Sequence, residues 1–160
     1  MKVFLATDHA GLELKNKIKD FLVELGYDVN DLGAFNFDIN DDYPDFISKA
    51  ALEVSKSPLN KAIIFGGSGQ GEAICANRFK NVRAVVYYGP SDSIQKDAMG
   101  NEIDIIESAR MHNDANILSI GARFITIDDA KKAIKKFLET NFSEEERHIR
   151  RIQKINDCAQ

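Results

Sequence analysis

The segment Gly66–Glu72, GGSGQGE, joins the apolar run KAIIF to a stretch that reads as a helix. Closely spaced glycines let backbone N–H groups converge on one point, and a following helix N-terminus adds a positive field. Familiar glycine-loop chemistries fail here on single residues. A phosphate-cradling P-loop needs Lys and then Ser or Thr after its second glycine, and Glu72 and Ala73 follow Gly71. A dinucleotide fingerprint needs a glycine three after Gly69, where Glu72 stands, and it belongs on the first strand rather than the third. A nucleophile elbow fails because Gln70 replaces its second glycine. A receiver domain needs an aspartate at the end of the third strand, and that position is Gly66. What remains is a cradle for a single developing negative charge. Ser68 adds a hydroxyl donor, and Glu72 is held as a carboxylate in the first helical turn. A carboxylate beside an oxyanion cradle can abstract a proton α to a carbonyl. The same residues also fit a plain tight turn with a favourable first-turn acid, and the loop alone does not separate these readings.

A second set of residues suits an anion. In SEEERHIRRIQKI (143–155), Ser143 and Glu146 have capping-box spacing. Ile149, Ile152 and Ile155 form a narrow apolar stripe. Arg150 has Glu146 four residues back, whereas Arg151 has no acid at i−3 or i−4 and has Arg147 one turn away. Two neighbouring guanidinium groups suit a phosphate dianion, and equally a solvated basic face. The chain holds three histidines. His9 follows Asp8 at the end of the first strand, His112 precedes the fifth strand, and His148 lies in the tail. None shows metal-ligand spacing, so no metal site is expected. His9 and His112 are both expected at the ligand-binding edge, where an imidazole can move the ring-opening proton of a cyclic sugar.

These groups need positioning. Strands are expected at 2–7, 27–33, 61–65, 82–88 and 115–121, each followed by a helical pattern. The first helix, 11–26, places Leu12, Ile18, Phe21, Leu22 and Leu25 on one side. Pro44 suits the first turn of a second helix over 43–57. Further helices are expected near 69–78, 102–114 and 127–140, with a last one from Ser143. Strict βα alternation predicts a five-stranded parallel sheet covered by helices on both faces, with ligands at the C-terminal strand ends.

The bulk composition narrows the partners. A chain of 160 residues supports one domain, 1–160. With 44% hydrophobic and 29% charged residues it is ordinary for a globular protein. A net charge of −4 argues against nucleic acid or an acidic membrane surface as partner. Two cysteines, Cys75 and Cys158, make no disulfide framework, and Cys75 reads as a buried helix residue. No apolar run is long enough for a signal core or a membrane span, so a cytoplasmic location is expected.

TDHAG (7–11), DYPDF (42–46), GGSGQGEAICANR (66–78), VRAVV (82–86), HNDANIL (112–118), GAR (121–123) and FSEEERHIRRI (142–152) occur together and in order. In this combination the chain resembles the ribose-5-phosphate isomerase B family, which also contains the galactose-6-phosphate isomerase subunits. The resemblance implies a three-layer Rossmann-like α/β fold with an additional C-terminal helix. It implies a homodimer with shared active sites, with pairing into tetramers left open. It further implies aldose–ketose isomerisation of ribose 5-phosphate and ribulose 5-phosphate through an enediolate, without metal or cofactor. One branch of the family uses a cysteine base at the position of Gly66; the other carries a glutamate at Glu72, and this chain resembles the latter. Carried over, Asp8 and His112 open the ring, and Glu72 moves the proton between C2 and C1. Ser68 and the N–H groups of Gly67, Gly69 and Gly71 hold the enediolate. His9, Arg123, Arg147 and Arg151 hold the phosphate, and Tyr43 and Asn113 meet substrate hydroxyls. His112, Asn113 and Arg123 are implied to reach in from the partner subunit. The chain departs from the family in about a dozen extra residues around 94–106, which either lengthen the helix carrying His112 or lie over the pocket. An isomerase of a hexose or tetrose phosphate, or a non-catalytic sugar-phosphate-binding module, therefore stays an alternative.

Overall fold

The computed structural model describes residues 1–93, 95–97 and 99–158. Five strands form one parallel sheet: β1 (Lys2–Thr7), β2 (Asp28–Asp31), β3 (Lys61–Gly66), β4 (Ala84–Tyr87) and β5 (Ile117–Gly121). Their spatial order is β2-β1-β3-β5-β4. The central strands β3 and β5 are buried along their whole length, as expected of strands covered on both faces. The edge strands β2 and β4 are short, four residues each, and only partly covered.

Helices α1 (Leu12–Glu24), α4 (Ile105–Asn113) and α5 (Ile127–Glu139) cover one face, around Ile18, Leu22, Phe65, Leu118 and Phe137. Helices α2 (Pro44–Ser55) and α3 (Gln70–Ala76) cover the other, around Phe4, Ile47, Val54 and Ile64. The expected face of α1 holds at Ile18 and Leu22, but Leu25 is 45% exposed because the helix stops at Glu24. Lys15 takes part of that face instead. It is fully buried, with its ammonium 2.6 Å from both oxygens of Asp31 at the end of β2.

The last helix, α6 (Glu146–Cys158), stands apart from both layers. It starts three residues later than Ser143. The amide of Ser143 donates to Met111 O, and Glu144 takes a positive φ of 57°, so Ser143 cannot cap the helix. The Arg150–Glu146 pair suggested by spacing is not among the ion pairs of the described residues. Only His148 of α6 is buried; Ile149 and Ile155 remain 50% and 53% exposed. The apolar stripe thus has little to pack on within one chain. Among the described residues no helix is long and apolar enough to cross a membrane.

The extra segment does not extend α4, which begins at Ile105 with Asp104 and Glu107 forming its capping box. Lys96 and Glu102 form an isolated antiparallel bridge within it, and Ile94 and Ala98 lie outside the described residues.

Candidate active site

The chain runs from β1 outward to β2, then returns across β1 to β3. The crevice between the C-terminal ends of β1 and β3 is therefore the switch point where such sheets take ligands. Register puts Thr7 opposite Phe65, so Asp8 comes level with Gly66. It also puts Gly66 opposite Gly121, so Arg123 follows close by. A cavity of about 380 Å³ opens there, lined by Asp8, His9, Tyr43, Ser68, Glu72 and Arg123, with Gly67, Gly71 and Phe124. A larger groove of about 520 Å³ runs along Asn77–Val85 and the end of α6, but no carboxylate or imidazole lines it. The smaller cavity is where the chemistry can occur.

The glycine loop is fixed from below. Ala122 and Arg123 donate their amides to Gly66 O and Gly67 O, and Ser119 Oγ donates to Gly69 O at 2.6 Å. Gly69 has a φ of 74°, and a side chain there would meet Ser119 Oγ at 2.9 Å. At Gly71 a side chain would meet the Tyr43 hydroxyl at 2.7 Å, so Tyr43 closes directly over the loop. Among the described residues the amides of Gly67, Ser68, Gly69 and Gly71 have no hydrogen-bond acceptor, and Gly67, Ser68 and Gly71 line the cavity, which leaves three donors beside it.

Glu72 is 4% exposed, and its carboxylate fills the space where a side chain on Gly66 would be. Any Cβ at position 66 would overlap Glu72 Oε1. Burial pushes the Glu72 pKa above the ordinary carboxylate range; its own backbone amide lowers it, and the nearby Asp8 raises it further. Because the folded pKa is raised, the base form is present only above that higher value, and the proton it takes is held more tightly. Asp8 caps the short turn His9–Gly11 by accepting from Ala10 N, and is itself buried. His9 Nδ1 lies 2.6 Å from Asp41 Oδ1, and this hydrogen bond raises its pKa. Asp8, His9 and Asp41 bring three possible metal-ligand atoms within 4.8 Å, but the imidazole and Asp41 are already engaged with each other.

His112 and Asn113 lie elsewhere. They end α4, which leads into the N-terminal end of β5, so they sit at the opposite edge of the sheet from Glu72. The expectation that His112 shares the ligand-binding edge within one chain is thus corrected: a residue before a parallel strand lies at the wrong end of it. A five-residue strand separates the edges by about 16 Å. Arg147 and Arg151 are on the same far side. His148 stacks on His112, with ring centroids 4.5 Å apart and planes 9° from parallel. Burial lowers the His148 pKa, as do His112 and Arg147 beside it. Arg147 Nε lies 2.8 Å from Glu145 Oε2 without aiming its N–H at it, and Arg151 has no ion pair among the described residues. Arg83 and Arg110 clamp this corner: Arg83 donates to the carbonyls of Asn113 and Asp114, and both arginines hold the Asp114 carboxylate.

Comparison with known proteins decides the lineage. The ribose/galactose isomerase family pattern matches residues 3–155. The chain belongs to the ribose/galactose isomerase family. Relatives include ribose-5-phosphate isomerase B of Mycobacterium leprae, 37% identical over 95% of this chain and 86% of that protein. The Escherichia coli protein of the same name is 32% identical over 99% of this chain and 97% of its own. The crystal structure of ribose-5-phosphate isomerase B from Mycoplasma genitalium with bound ribulose-5-phosphate matches with a TM-score of 0.86 at 35% identity, covering 98% of this chain and 95% of that one.

Against the family expectation, Arg123 lies in its own chain's cavity with Glu72, because the ends of β3 and β5 adjoin. Cys75 is only partly buried. None of the described residues in 89–104 lines the cavity. Asp41 escaped sequence reasoning. Its only signal was the acidic run Asp38–Asp42 before Pro44, and it meets His9 across 32 residues of chain. The stacking of His148 on His112 was equally hidden, since it joins two helices far apart in sequence.

Proposed function

We propose that the protein interconverts ribose 5-phosphate and ribulose 5-phosphate, with Glu72 as the base. The observation that carries this reading is the Glu72 carboxylate, buried beside three unpaired loop amides and next to Asp8. Glu72 takes the C2 proton of the open aldose, the electron pair moves onto the carbonyl oxygen, and the amides of Gly67, Ser68 and Gly71 stabilise the resulting oxyanion. The hydroxyl proton passes from O2 to O1, and Glu72, now the acid, returns its proton to C1 as the C2–O bond becomes the ketose carbonyl. Its raised proton affinity favours keeping that proton through the enediolate rather than losing it to solvent. His9 and Arg123 bind the phosphate at the mouth of the same cavity. The far-edge residues His112, Asn113, Arg147 and Arg151 complete the site of a second copy, where His112 and Asp8 exchange the ring-opening protons. A homodimer follows from this arrangement, since one chain's halves cannot meet across the sheet. The relative solved with ribulose-5-phosphate supports the substrate class.

A second substrate reading has its own support. Tyr88, just after β4 and six residues ahead of the extra segment, packs edge-on against Phe124, which lines the cavity, at 5.4 Å. That contact gives the segment a route to the sugar and keeps a hexose or tetrose phosphate in view. A coupled assay over a panel of aldose phosphates separates the readings: the pentose phosphate is expected to have the highest kcat/KM. Glu72→Gln is expected to lower kcat by about 10²-fold or more, on the scale of general-base catalysis. Near wild-type turnover in that variant overturns the mechanism.

A further inference from the structure

Asp41 sits in the loop between β2 and α2 with its side chain 10% exposed. Its Oδ1 accepts from both the backbone amide and the ring Nδ1 of His9, at 3.1 and 2.6 Å. Its Oδ2 is buried without any hydrogen-bond partner among the described residues, and no Lys or Arg pairs with the group. A buried carboxylate left half unsatisfied is costly unless a cation faces it. Among the described residues the basic group in contact is His9, whose ring is also held at its edge by Phe37, 5.8 Å away.

The tautomer then matters. Asp41 is an acceptor only, so the proton between the two groups belongs to Nδ1. In a neutral ring with Nδ1–H, Nε2 is a lone pair, which would repel a phosphate oxygen. Only the imidazolium satisfies Asp41 at one nitrogen and donates to an anion at the other. Among the described residues no hydrogen bond reaches Nε2, and His9 lines the cavity beside Arg123.

We propose that Asp41 is a positioning residue that makes His9 a cationic phosphate ligand, by holding Nδ1–H and leaving Nε2–H as the ring's free donor. This rests on the reading of His9 as a phosphate ligand given above. The groups facing His9 are Asp8 and Asp41, which favour its charge, Arg123, which opposes it, and burial, which also opposes it. Glu72 and Tyr43 complete the cavity walls. The balance favours the cation, chiefly through the Asp41 hydrogen bond. The raised pKa keeps the imidazolium to higher pH, and its contribution to binding is lost as pH rises through that value. Phosphate monoesters are largely dianions above about pH 6, so the two charges overlap in the neutral range.

The test compares wild type, Asp41→Asn, His9→Gln and the double variant in KM and kcat for the sugar phosphate from about pH 6 to about pH 8.5, across the histidine range. Inorganic phosphate serves as a competitive inhibitor, and ring ¹⁵N NMR reads the His9 titration directly. Asp41→Asn is expected to raise KM and the phosphate inhibition constant about tenfold near pH 8, the scale of one charge-assisted hydrogen bond, and to leave both close to wild type near pH 6. kcat should hold throughout, and the His9 titration should move to lower pH. In the His9→Gln background Asp41→Asn should add nothing. A KM rise that is independent of pH, an added loss in the double variant, or an unmoved His9 titration overturns the proposal. So does phosphate binding that falls with a chelator, which would place a cation between these groups. If His9→Gln leaves KM unchanged, the phosphate reading of His9 itself fails. If His9→Gln raises KM and Asp41→Asn does not, only the role of Asp41 fails.

Discussion

The two ends of the sheet are built differently. At the C-terminal edge the functional groups stand on strand ends and a loop locked by buried hydrogen bonds, such as Ser119 Oγ to Gly69 O. Tyr43 closes over that loop and Glu72 fills a space that glycine leaves. At the N-terminal edge His112, Asn113, Arg147 and Arg151 stand on two helices that meet through one pair of stacked imidazoles. The helix carrying the arginines leaves half of Ile149 and Ile155 in solvent. On the proposed mechanism one end holds both the base and the oxyanion donors. The other is a set of groups with a rigid support, the Arg83–Asp114–Arg110 clamp, and nothing on its own chain to act upon. The proposed homodimer would supply the missing half from a second copy, and twofold symmetry would then give two equivalent sites.

The sharpest way to break this contrast is at Gly66. Gly66→Ala removes no named functional group but drives its Cβ into the Glu72 carboxylate. It is expected to lower kcat by about 10²-fold, close to the loss from Glu72→Gln, because displacing a base costs much the same as removing it. Normal turnover in a correctly folded Gly66→Ala protein would mean that Glu72 is not placed as described. The division between the edges is tested by mixing. Glu72→Gln and His112→Asn are each expected to be inactive alone. After unfolding together and refolding, the mixture should recover about a quarter of wild-type activity, from the mixed dimers that hold one intact site. No recovery would place both groups in one chain's site. The smallest effect is expected at the far edge. Arg151→Ala should raise KM for the phosphorylated sugar on the order of tenfold and leave kcat nearly unchanged. An equal effect on an unphosphorylated sugar would remove Arg151 from the phosphate site.

Most of the scaffold was legible in the sequence because period and composition report burial locally. The apolar runs 61–65 and 115–121 became the fully buried strands β3 and β5. The glycine loop was legible because Glu72 contradicts each phosphate pattern at one position. Legibility fell where a residue's meaning depends on a distant partner. Ser143 and Glu146 have capping spacing, but the tie of Ser143 to Met111 delays the helix. Nothing near Lys15 in the sequence marks it as buried, because the Asp31 carboxylate that accepts its ammonium lies sixteen residues on. Nothing local separates Asp41 from its neighbours Asp38 and Asp42. For His112 strand direction decides: a residue just before a parallel strand lies at its N-terminal end, so adjacency to β5 does not bring it to the ligand-binding edge.

The space shared by Gly66 and Glu72 has a historical consequence. The resemblance implies a cysteine at the first position or a glutamate at the second as alternative bases, and in this chain the two positions compete for one volume. On the proposed mechanism neither change alone would be neutral. A cysteine gained first would collide with the glutamate still in place, and a glutamate lost first would leave no base. An exchange between the two chemistries would then have to cross a poorly active intermediate or alter both residues together.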